Sequence, residues 1–133
     1  ANELLWSIRY TSGDSLYAYG VRLMPFTEPL IYQGDASALL SWREQFAHLK
    51  GTTLFRDIKR FATLSNDILI AHPTRDYVIG DGRYSMLPTS MEPLWGIEFD
   101  PEHPARHVDF RTFREASPEI RESFKSMLLG QHK

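Results

Sequence analysis

The chain has 133 residues, a formal net charge of -2, 42% hydrophobic and 13% aromatic side chains, and no cysteine. A chain of that length fills one domain and buries on the order of two thirds of its unfolded surface, so it needs neither disulfide nor metal to fold. The near-neutral balance excludes the basic footprint of a nucleic-acid binder, and the absence of thiols excludes cysteine nucleophiles and cysteine-ligated zinc.

No apolar run approaches the roughly 18 to 20 residues of a membrane-spanning helix, and no signal-peptide succession opens the chain. The first residues, Ala1-Asn2-Glu3, lack a Met and point to a piece of a longer protein.

Leu4 to Tyr10 alternates as a strand, Thr11 to Ser15 supplies turn residues, and Leu16 to Met24 reads as a second strand, together a hairpin. Pro25 and Pro29 lack ladder donors and leave Leu30-Ile31-Tyr32 as a short edge strand at most. From a cap at Asp35 or Ser37, the spacing of Leu39, Leu40, Trp42, Phe46 and Leu49 predicts a helix that closes at Gly51. Thr52 or Thr53 caps a second helix carrying Leu54, Phe55, Ile58, Phe61 and Leu64 on one side.

Ile68 to Ala71 follows as a short strand, and Pro73 to Asp76 turns into Tyr77-Val78-Ile79. Leu94 to Phe99 is a further strand, with Trp95, Ile97 and Phe99 on one face and Leu94, Gly96 and Glu98 on the other. Val108, Phe110 and Thr112 form a last strand, and Ser117-Pro118-Glu119 opens a C-terminal helix striped by Ile120, Phe124, Met127 and Leu128. The order lacks strict strand-helix alternation, which predicts one α+β domain over residues 1–133. Its expected form is a mainly antiparallel sheet of about five or six strands with two central helices and a C-terminal helix on it.

The opening tract Asn2 to Ile8, the helix running into Arg60 to Asn66, the turn Ile79-Gly80-Asp81-Gly82-Arg83-Tyr84 and the strand after Pro93 together resemble a known family. It is the C-terminal extramembrane domain of YdjM-like bacterial inner-membrane proteins, a group of membrane-bound metal-dependent hydrolases. The likeness spans most of residues 2 to 100; family members commonly have Arg where this chain has Ser7, and Asp-Leu-Arg where it has Asp81-Gly82-Arg83. The resemblance implies an inner-membrane location and a partner in the N-terminal membrane half of the same chain. It also implies that a divalent metal, with its His and Asp ligands, belongs to that membrane half, leaving no cofactor in the part seen here. An Asp81–Arg83 pair that fixes the end of a strand fits the same implication.

Two constellations are candidates for chemistry. Asp81 and Arg83 could polarise a substrate while Tyr84 donates a proton. The alternative is a tight connection in which Gly80 and Gly82 take positive φ, Asp81 bonds local backbone and Arg83 pairs a carboxylate. In the run from Glu98 to Asp109, Glu98, Asp100, His103 and His107 are oxygen and nitrogen donors of the kind zinc or manganese takes. Pro101 and Pro104 oppose the helix that would face His103 and His107 the same way, and the run does not match H-E-x-x-H, so a polar loop is the competing reading.

His48 and His72 have no sequence neighbour that makes them catalytic bases. Ser85 and Ser90 lie in no G-x-S-x-G elbow, and Gly80-Asp81-Gly82 lacks the third glycine and the helix of a dinucleotide fingerprint. Tyr17 and Tyr19 share a strand face that either sits under a helix or docks the membrane half, a second copy or the headgroup region. Three functions follow as expectations: an accessory, non-catalytic domain that docks on or regulates the membrane half and self-associates; a self-contained metal-binding hydrolase module using the acidic and histidine loop; and a small-ligand domain with a pocket between sheet and helices.

Overall fold

The computed structural model describes residues 4–113; the expected C-terminal helix at 117–128 lies outside them. Strands β1 (Leu4–Ser12), β2 (Ser15–Leu23) and β3 (Leu30–Ala38) form a meander, followed by a one-turn helix α1 (Trp42–Gln45), a 3-10 turn (Ala47–Leu49) and helix α2 (Thr53–Leu64). Short strands β4 (Leu69–Ala71), β5 (Val78–Asp81), β6 (Trp95–Glu98) and β7 (Arg111–Thr112) complete the described chain. The class is α+β with antiparallel pairing. The single sheet of five or six strands is not what forms, since the strands divide into a three-stranded sheet, β1-β2-β3, and a four-stranded sheet, β4-β5-β6-β7.

The β1–β2 hairpin closes through Gly13-Asp14, with Gly13 at φ 59, a left-handed conformation that lets a two-residue connection follow the strand twist. Pro25 and Pro29 fall in the β2–β3 connection, and β3 then runs for nine residues rather than three, with a bulge opposite Tyr17 and Tyr19 that absorbs the irregular register.

Of the helix expected from residue 35 to 49, only the second half is helical, as α1 and the 3-10 turn; residues 35–41 are strand and extended chain. Leu39 N–H donates to Asp14 O (2.8 Å) and Leu40 N–H to Leu69 O (2.9 Å), so backbone hydrogen bonds guide the chain as it crosses from the first sheet to the second. Leu39 and Leu40 meet apolar clusters of the two sheets separately, which reproduces a helical spacing without a helix.

Helix α2 forms as its sequence dictates. Thr52 Oγ1 accepts from Phe55 N–H at the N-cap (3.1 Å), and Leu54, Ile58, Phe61 and Ala62 recur on one face and are buried. They meet Leu69, Ile79, Ile97 and Phe99 of the second sheet in the main core, where each fully buried large side chain contributes about 1.5–3 kcal/mol. Trp95, Ile97 and Phe99 all join this core, as the alternation of β6 predicts. A smaller cluster of Leu16, Ala18, Ile70 and Met91 joins the two sheets.

Candidate functional site

The Val78 to Asp81 strand ends in the first candidate. Asp81 is completely buried, and its carboxylate accepts from Arg83 N–H (2.9 Å), from Arg83 Nε (3.0 Å) and Nη2 (2.8 Å), and from Trp95 Nε1 (3.0 Å). Arg83 Nη2 also donates to Leu64 O (2.9 Å), at the end of α2, and the Asp81 partnership raises the guanidinium above its already high ordinary value. One side chain thus ties the C-terminus of α2 to β5 and β6.

Gly80 and Gly82 are not at positive φ, which corrects the expected reason for their presence. A Cβ on Gly80 would run into the Pro93 ring, and one on Gly82 would meet Leu16 Cδ2 at 2.7 Å, so both glycines serve close approach rather than a left-handed turn. Tyr84 is exposed, with the Arg83 guanidinium 5.1 Å from its ring centroid. A carboxylate with no exposed surface and this set of donors cannot reach a substrate. The pair is a clasp.

The second candidate does converge. Glu98, Asp100, His103 and His107 line one open groove of about 330 Å³, together with Arg106, Asp109 and Arg111. Each acid and imidazole there already has a protein partner. His103 Nδ1 meets Asp100 Oδ2 at 2.7 Å, and Asp100 also accepts from Glu102 N–H (3.0 Å); that backbone bond first, and His103 second, hold the Asp100 carboxyl below its ordinary range. Glu98 pairs with Arg75 (3.3 Å) and Arg111 (2.6 Å). His107 bridges two acids, with Nδ1 3.0 Å from buried Asp57 and Nε2 2.8 Å from Asp109.

The two imidazoles therefore face different carboxylates across the groove, as the prolines predict. Among the described residues no three His, Asp or Glu side chains form a metal-ligating group. An Asp–His pair such as Asp100–His103 is the arrangement that orients an imidazole as a base. Among the described residues the groove's lining offers such a base no hydroxyl or thiol to activate.

Asp57, from the buried side of α2, reaches this loop: its Oδ2 accepts from Val108 N–H (2.9 Å) beside His107. A separation of fifty residues hid that contact from any local motif.

Arg9 was missed as well. Its guanidinium, pointing inward from β1, donates to Gly82 O (3.0 Å) and also reaches Ser85 Oγ and Ser90 O, fastening the first sheet to the 82–91 segment. Burial lowers its proton affinity, with Asp35 and Asp81 opposing. The alternation of Ser7, Arg9 and Thr11 on the inner face of β1 was the available signal. Ser85 and Ser90 are spent in the same network, Ser90 Oγ accepting from Glu92 N–H (2.8 Å), and neither faces a histidine.

His72 caps its own turn, its Nδ1 accepting from Thr74 N–H (3.1 Å) and Arg75 N–H (3.2 Å), and burial with nearby Arg75 lowers its proton affinity. The space expected to hold a ligand between α2 and the sheet is filled by the main core. No family model, curated protein or solved structure matches the chain.

Proposed function

We propose that this domain is a non-catalytic accessory module of a bacterial inner-membrane protein of the metal-dependent hydrolase type, docking against the membrane half of the same polypeptide. The observation that carries the reading is Phe26, wholly exposed in the β2–β3 connection at φ 62, with exposed Met24 two residues before it. A bulky residue in the left-handed region costs about 1–2 kcal/mol, and an apolar one held there in solvent is a side chain presented for contact. The Asp81–Arg83 clasp supports the same reading, because it spends the domain's most catalytic-looking residues on rigidity. In this reading the divalent metal and the hydrolytic chemistry belong to the membrane half.

A photo-crosslinking residue at position 26 of the full-length gene product, expressed in cells, is expected to join an apolar segment of the same polypeptide. Absence of any crosslink, or crosslinks to unrelated soluble proteins alone, overturns the docking.

A second reading, a self-contained metal-binding hydrolase module, rests on the convergence of Glu98, Asp100, His103 and His107 on one groove. Calorimetric titration of the chelator-stripped protein with zinc and manganese separates the two. Stoichiometric micromolar binding that vanishes when His103 and His107 are both changed to Ala establishes the module, and heats of dilution alone leave the accessory reading.

A further inference from the structure

The outer face of the three-stranded sheet is apolar, aromatic and uncovered by any described residue. β1 contributes Trp6, Ile8 and Tyr10 to it, paired in register with Val21, Tyr19 and Tyr17 of β2. Ile31 of β3 stands opposite Val21, and Gln33 opposite Tyr19. Trp6 is 54% exposed, Ile8 46%, Tyr10 46% and Ile31 64%. The Tyr10 ring stacks on Tyr17 (5.2 Å between centroids) and on Tyr19 (6.0 Å), so the three rings pack as one aromatic group on this face.

Neither β1 nor β2 places a charged side chain on this face between Trp6 and Leu23. Both arginines of these strands point to the other side: Arg9 is held by the 82–91 segment, and Arg22 alternates with buried Leu16 and Ala18.

We infer that this face is a homodimer interface, in which two copies of the chain oppose their three-stranded sheets about a two-fold axis. Two properties favour a second copy over other occupants, and a third permits one. In a two-fold contact every charge near the axis meets its own image, so a self-complementary face must be uncharged where a face for a different protein need not be. A lipid-binding face of an acidic protein would carry lysine or arginine toward the headgroups, and here both arginines turn away.

Size is the third property. The exposed parts of these side chains sum to on the order of 500 Å², so two faces together remove about 1,000 Å² from solvent, the lower bound for a specific interface. Sheets opposed in this way sit about 10 Å apart with interdigitated side chains, which suits a row of aromatics, and aromatic enrichment with charge depletion marks interface centres.

Sedimentation velocity of the intact protein over a wide concentration range tests the interface. The expected result is a reversible dimer with micromolar Kd, weakened about tenfold or more by Ile8→Lys and, separately, by Ile31→Lys. Both positions are already half exposed, so each variant keeps its circular dichroism spectrum and monomer fold. Two substitutions on different strands keep the test decisive if one of them misfolds.

A wild-type protein that stays monomeric at several hundred micromolar overturns the inference. So does a dimer that neither lysine disturbs. In the monomeric outcome, co-sedimentation with phosphatidylcholine vesicles would assign the face to lipid, and new dye binding after deletion of residues 114–133 would assign it to that segment.

Discussion

Arg83 and Asp81 stand two residues apart in sequence, yet their ion pair, closing at 2.8 Å with the acid fully buried, is what fastens the end of α2 to the second sheet. The two partners are not equivalent. Arg83 Nη2 reaches Leu64 O on the protein surface and its side chain is 30% exposed, whereas Asp81 has no access to water. Removing the cation therefore strands a buried anion, while neutralising the anion leaves a guanidinium that solvent can serve.

Arg83→Met is accordingly expected to destabilise by about 3–5 kcal/mol and Asp81→Asn by about 1–3 kcal/mol, with Asn Oδ1 still able to accept from Trp95 Nε1. Urea denaturation midpoints of the two variants check the order. A catalytic pair would show the opposite signature, lost activity with stability little changed.

Arg9 gives a second prediction of the same type, located between the sheets. Its guanidinium serves acceptors in several directions, Gly82 O, Ser85 Oγ and Ser90 O, that one ammonium cannot reach together. Arg9→Lys is expected to behave nearly as badly as Arg9→Met, each costing about 2–4 kcal/mol. Amide hydrogen exchange should accelerate in β1 and in residues 82–91 while α2, in the main core, keeps its protection. Uniform acceleration across the whole chain would mean that the two sheets unfold as one unit and that Arg9 is not their clasp.

What the sequence made legible, and what it hid, follows from the range of each contact. Helix α2 is readable because its cap, its period and its buried face are all local, and β6 is readable because Trp95, Ile97 and Phe99 alternate within a few residues. The segment from residue 35 to 41 misleads because two long-range backbone bonds, Leu39 to Asp14 and Leu40 to Leu69, hold it extended where the spacing of Leu39 and Leu40 continues that of the helical residues after it. The division into two sheets was hidden for the same reason. The contacts that hold the first sheet against the 82–91 segment, those of Arg9 and the close approach of Gly34 to Thr89, have no local signature.

In the candidate groove the donors could be named but not their pairing. His103 finds Asp100 three residues away, while His107 finds Asp57 on another element. The first partnership is a sequence neighbour and the second a product of the fold.

His72 sets a pH dependence whose sign is fixed by geometry. Its Nδ1 accepts two backbone N–H groups, so a proton there would face donors, and burial with Arg75 lowers its folded-state affinity for that proton. The unfolded chain, with an ordinary histidine near 6.5, binds the proton more readily, so stability falls as pH drops through the window just below about 6.5. His72→Asn retains an acceptor for the turn and cannot titrate, and its stability should be flatter than wild type across that window. Asp100 acts in a separate window: its lowered affinity contributes stability present above the ordinary carboxylate range near 3.9 and lost as pH falls below it. Thermal melts from neutral to acid pH should show two distinct declines, of which only the first is absent in His72→Asn.

Asp57 is the remaining long-range tie, and its substitution separates structure from chemistry in the groove. The carboxylate is buried on α2, accepts from Val108 N–H at 2.9 Å and orients His107 at 3.0 Å, with Arg60 one turn away at 3.5 Å. Asp57→Ala leaves the buried Val108 N–H without its acceptor and frees His107, at an expected cost of about 2–4 kcal/mol. Asp57→Asn keeps an acceptor for Val108 and should recover at least half of that loss. If the groove only braces the loop, both variants keep the domain's associations and differ from wild type in stability alone. If His107 works as an oriented base, any hydrolytic turnover falls in Asp57→Asn as well, despite its recovered stability, and nuclear magnetic resonance of the His107 ring would report a changed tautomer in the same variant.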